Sequence, residues 1–115
     1  MNSDVDDGLK PSHRAAIRGV LAQAHRVDSA VLFGSRAMGC HRPASDIDLC
    51  LFGTNLTLGD EHQIASWIED IGLPVRMDLL RHHTVSSQAL LEHIVKHGVL
   101  FYERGLESIP DGSEP

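Results

Sequence analysis

No apolar run in this sequence approaches the ~20 residues that cross a bilayer, and no leader-like segment opens it. A protein of the cytoplasm is therefore expected. Cysteine is scarce, with two in the chain: Cys40 in a polar stretch and Cys50 in an apolar one. That number excludes a disulfide framework and points to reduced thiols. A zinc site would then need histidines. His93 and His97 lie one helical turn apart, but the glutamate that follows the first histidine of a zinc-protease helix is missing and no third ligand stands out, so they read as surface residues. His82-His83 read as loop histidines. A basic stripe is lacking too. The net charge of −6 is concentrated at the ends, with −2 in residues 1–10 and −3 in residues 105–115, leaving about −1 between them. Such a balance excludes a surface for a long polyanion, so no direct nucleic-acid binding is expected. Internal repeats and dividing linkers are also absent.

What remains is an ordinary globular composition, 42% hydrophobic and 23% charged over 115 residues, enough for one domain with a modest core. Residues 1–10 are acidic and apolar-poor and read as a disordered tail; residues 105–115 read as a flexible one; residues 11–104 form the domain. Ser12 is the expected cap of a helix to about Arg26, with Ile17, Val20, Leu21 and Ala24 on its core face and Arg14 and Arg18 on a solvated one. A short buried strand follows over 30–33. Thr57-x-x-Asp60 approximates a capping box for a helix whose inner face is Ile64, Trp67, Ile68 and Ile71, closed by Gly72. Alternation predicts a strand over 74–80. Thr84, Ser86 or Ser87 caps a last helix ending at Gly98, and a final strand is expected over 99–102.

The informative stretch is VLFGSRAMGCHRPASDIDLCLF, residues 31–52. A strand ends at Gly34-Ser35, and ten residues later another opens with Asp46-Ile47-Asp48. Side chains two apart on a strand share a face, so the two carboxylates are expected a few Å apart. Their repulsion is costly without a cation between them. Oxygen ligands of this kind suit Mg²⁺, which is held by one or two carboxylates plus substrate phosphates. Gly34-Ser35 supplies backbone N–H groups and a hydroxyl, the parts of an anion cradle, helped by a helix dipole if a helix starts there. Turn and acids can share one cleft only if the two strands run antiparallel. Asp78, a lone acid in the strand 74–80, completes a three-carboxylate cluster if that strand neighbours the Asp46–Asp48 strand; otherwise it is an edge acid facing water.

Gly-Ser, ten residues, then Asp-x-Asp resembles the signature of the DNA polymerase β-like nucleotidyltransferase superfamily, and GSRAMG…RPASDIDL is similar to its minimal nucleotidyltransferase (MNT) branch. The likeness covers roughly Ser12 to Glu103. It implies an α/β (α+β) polymerase β-like fold, a small mixed sheet of three or four strands flanked by about four helices. It also implies ATP as substrate with two Mg²⁺ ions, which can stabilise the entering and leaving oxygens of an in-line displacement. In these terms Asp46, Asp48 and Asp78 are the metal-holding catalytic acids, and Asp78 also activates the attacking hydroxyl. Gly34, Ser35 and Arg36 are the nucleotide-binding residues: Ser35 holds the β/γ-phosphates and Arg36 offsets charge on the pyrophosphate, unless Arg36 is a surface residue of a short helix. Met38 stands where many family members have a second basic residue. Small stand-alone domains of this kind resemble the antitoxins of prokaryotic HEPN/MNT pairs, which transfer AMP from ATP to a tyrosine of a HEPN ribonuclease toxin and silence it. Two other readings remain: an antitoxin that neutralises its toxin by occlusion alone, and a small-molecule nucleotidyltransferase.

Overall fold

The computed structural model describes residues 7–105. Most of the expected acidic N-terminal tail (1–6) and all but one residue of the C-terminal tail (106–115) lie outside them.

Helix α1 spans Pro11–Gln23. Pro11 sits in its first turn, where the missing N–H costs nothing and φ is already helical. Lys10 therefore takes the N-cap place, without a side-chain bond, rather than Ser12. Ile17 and Leu21 are fully buried on its inner face. The expected solvated face is corrected, because Arg14 and Arg18 both lie over the Phe101 ring, and Arg18 donates to the Phe101 carbonyl at 2.8 Å. Arg14 also donates to both carboxylate oxygens of Asp7, at 2.7 and 2.8 Å. Asp7 is only 6% exposed, so residues 7–10 are packed against the domain rather than loose. At the other end of α1, Arg104 donates to the carbonyls of Leu21, Ala22, Ala24 and Val27, a cation at a helix C-terminus.

Strand β1 (Ser29–Phe33) leads into a single helical turn, α2 (Ser35–Met38), and a loop returns the chain to β2 (Ile47–Phe52). Helix α3 (Leu58–Glu69) carries the expected capping box, with Thr57 and Asp60 exchanging side-chain-to-backbone bonds of 2.9 and 3.1 Å. It is the crossover to β3 (Met77–Arg81), which starts three residues later than expected: residues 74–76 approach β2 only through the bond from Ile47 N–H to the Arg76 carbonyl. A short 3₁₀ turn (His82–Thr84) precedes α4 (Gln88–His97), capped by Ser87, and β4 (Val99–Glu103) closes the fold.

The sheet order is β3-β2-β1-β4. β1 runs antiparallel to β2 and β4, and β2 parallel to β3, as a helical crossover requires. One face of β2 (Ile47, Leu49, Leu51) enters the main core with Ile17 and Leu21 of α1 and Ile64 and Ile68 of α3. The other face holds a smaller cluster, Phe33, Cys50 and Ile94, bordered by Val31, Phe52, Leu80 and Leu90. Gly98 lets α4 turn directly into β4. Its φ is an ordinary −67°, and a Cβ there would overlap the Ile94 carbonyl and Val31. The glycine is needed for closeness, not for a left-handed cap. Over the described residues the fold is thus a mixed α+β domain of four α-helices and a four-stranded mixed sheet.

Candidate active site

The acids lie on the thinly covered face of the sheet. Antiparallel pairing of β1 and β2 puts Phe33 opposite Asp48, so the chain leaving β1 bends at Gly34 beside the start of β2. Parallel pairing of β2 and β3 puts Asp78 opposite Asp48. Asp46, two residues before Asp48, is one step further along the same side. The structure therefore brings Asp46, Asp48 and Asp78 to neighbouring positions on one face, with Asp48 half-buried between the others and Asp78 exposed on the edge strand.

The electrostatics follow. Burial, then the negative charges of Asp78 and Asp46, and a hydrogen bond with Asp78, push the Asp48 carboxyl up to about 6. That bond needs one shared proton between two carboxyl groups. The set has oxygen donors only and more negative charge than its surroundings offset, the chemistry that suits a hard divalent cation. Among the described residues no group of three or more His, Cys, Asp or Glu side chains is placed so as to hold a metal ion by itself. Such a donor set fits Mg²⁺ that keeps few carboxylate ligands and takes the rest from phosphate and water.

Gly34 sets the distance between turn and acids. Its φ is +79°, and a Cβ on it would run into the Asp48 carboxylate. Only glycine brings this backbone so close. Ser35 follows, half-buried, at the start of α2. With one turn, α2 offers backbone amides but little macrodipole, so the dipole expected at this turn is not available.

Arg36 is 3% exposed, which removes the alternative of a surface residue on a short helix. Its guanidinium donates to the carbonyls of Ser45 (3.0 and 3.1 Å), Pro43 (3.3 Å) and Asp7 (2.7 Å). All these partners are main-chain carbonyls, and together they tie residues 43–45, the approach to Asp46, to the turn. In this arrangement the guanidinium positions the loop. Met38 is exposed.

One residue of the site was misread as surface. His93, on α4, is half-buried, and its Nε2 accepts the Gly34 N–H at 3.1 Å. Its ring stands edge-to-face on Phe33, with centroids 6.2 Å apart. Its neighbour Ile94 is buried in the smaller cluster with Phe33, and this seats His93 beside the turn that Phe33 leads into. His82, by contrast, stacks on Phe52 at 4.3 Å. Burial pushes the Cys50 thiol up to about 11, which leaves it an inert core residue.

The mixed sheet thus presents neighbouring carboxylates beside a Gly-Ser turn. The family described as "Polymerase beta, Nucleotidyltransferase" matches residues 15–107, and the chain belongs to it. Curated protein sequences give no significant match. Among solved structures, a protein described as a minimal nucleotidyltransferase is 26% identical (84% of this chain, 97% of that one, TM-score 0.64). A toxin–antitoxin complex with AMP-PNP contains a chain 21% identical to this one (82% and 76%, TM-score 0.66). The complex of the tri-AMPylated Shewanella oneidensis HEPN toxin with MNT antitoxin contains another at 18% identity (86% and 76%, TM-score 0.62). The last two likenesses are of fold.

Proposed function

We propose that this chain is an antitoxin nucleotidyltransferase that moves AMP from ATP to a tyrosine hydroxyl of a HEPN-family toxin. The observation that carries the reading is the pairing of Asp48 with Asp78 across β2 and β3, directly beside Gly34. Family membership supports nucleotidyl transfer, and the fold likeness to antitoxins in complex with HEPN toxin supports the partner.

Each residue then has a role. The Gly34 and Ser35 amides and the Ser35 hydroxyl hold phosphate oxygens. Asp46, Asp48 and Asp78 would hold Mg²⁺ together with oxygens of the nucleotide, and the ion would supply positive charge to the reacting phosphate and its leaving group. Asp78, the exposed acid, takes the proton of the acceptor hydroxyl. The acceptor oxygen bonds to the α-phosphorus, the bond from that phosphorus to the bridging oxygen breaks, and pyrophosphate leaves with its electron pair. Arg36 keeps the 43–45 loop in place so that Asp46 reaches the pair. Positioning and charge supply most of the rate in such transfers, so a small domain suffices when a protein partner brings the acceptor.

The test uses ATP labelled at the α-phosphate, Mg²⁺ and the product of the neighbouring gene. Label on the partner from α-labelled but not γ-labelled ATP, lost in Asp48→Asn, is expected. A partner that is bound and neutralised equally well by the Asp46→Ala, Asp48→Ala double variant would favour occlusion without chemistry.

A further inference from the structure

The phosphate-binding reading of Gly34 meets a conflict inside the protein, because its N–H is already taken. A half-buried backbone donor needs a partner, and the partner here is the imidazole of His93 on α4, at 3.1 Å. An N–H that donates to Nε2 requires that nitrogen to be unprotonated, which fixes the neutral ring with its proton on Nδ1.

We propose that His93 competes with substrate phosphate for the Gly34 amide, so that nucleotide enters by displacing the imidazole. The inference rests on the nucleotide-binding reading of the turn and adds to it a residue that sets nucleotide affinity. Three features make the exchange a side-chain event. α4 is anchored by Ile94, buried with Phe33 and Cys50, so its backbone has no cause to move. The ring is held by an edge contact to Phe33 and lies 5.2 Å from the His97 ring, and among the described residues its hydrogen bond is the one to Gly34. His97, one turn further along α4, is exposed, so that side of the helix is not packed against the core. A phosphate oxygen is the stronger acceptor, since its bond is charge-assisted. Substrate therefore wins, but its affinity is lowered by the bond it must replace.

The experiment titrates the whole chain with a non-hydrolysable ATP analogue and Mg²⁺ by calorimetry, comparing wild type, His93→Ala and His93→Gln. With the competitor removed, His93→Ala is expected to bind about five-fold tighter, the size of one neutral hydrogen bond. His93→Gln, whose amide oxygen is also an acceptor, should stay near wild type. In the wild-type protein, imidazole ¹⁵N resonances of His93 should shift when the analogue binds, a readout that needs no variant. Unchanged or weaker binding by His93→Ala, or a static His93 resonance on saturation, would overturn the proposal while leaving nucleotide binding intact. No binding by any of the proteins would overturn the nucleotide reading itself, and the proposal with it.

Discussion

Gly34 and Asp48 compete for the same space, and the site depends on that closeness. A methyl group at Gly34 would strike the Asp48 carboxylate and would also have to adopt a φ of +79°. With ψ at −158° this is a conformation essentially confined to glycine, so Gly34→Ala is expected to cost about 1–3 kcal/mol of stability from the backbone alone, read from chemical denaturation. It should also weaken Mg²⁺-dependent nucleotide binding at least tenfold by pushing Asp48 aside. Asp48 makes a second prediction, with pH. Its folded-state value of about 6 lies above the ordinary carboxylate value of 3.8. Its contribution to stability is thus largest when it is protonated, at low pH, and is lost as pH rises through about 6. Bound Mg²⁺ would relieve the ionised form, so Mg²⁺ should raise the melting temperature at pH 8 and have little effect at pH 5. Equal shifts at both pH values would contradict the assignment of Asp48 as a ligand.

At the scale of elements, most of the fold was legible because the signals are local. The Thr57–Asp60 box, the apolar stripe of α1 and the alternation through β2 each lie within one turn or strand of sequence. Removing the box with Thr57→Ala should cost about 1 kcal/mol, read as a fall of several degrees in melting temperature. The element-level errors came from residues whose partners are distant or are main-chain atoms. His93 meets Gly34 across 59 positions, and nothing near His93 in sequence announces it. Arg36 bonds to carbonyls of residues 7, 43 and 45, groups that every residue has and that no pattern names. For the same reason Arg104 could not be read as the cation that closes α1. Arg36→Met should loosen the 43–45 loop, weakening Mg²⁺-dependent nucleotide binding while leaving the helices intact by circular dichroism. Wild-type affinity in that variant would show that the loop holds Asp46 without it.

Across the described molecule, the sheet order brings three acids that are scattered in sequence to neighbouring positions. β2 is central, so its neighbour β1 delivers the Gly-Ser turn and its other neighbour β3 delivers Asp78. The antiparallel pairing was legible because turn and acids had to meet in one cleft. The parallel pairing was legible only as a condition, since sequence places Asp78 in a strand without saying which strand lies beside it. The central claim is that these acids and the turn together bind a metal-bound triphosphate. Its most direct measurement is calorimetric titration of the non-hydrolysable ATP analogue, with and without Mg²⁺, into wild type and Asp48→Asn. The account predicts binding that requires Mg²⁺ in the wild type and is lost in Asp48→Asn. Binding of equal strength in all four experiments would contradict it.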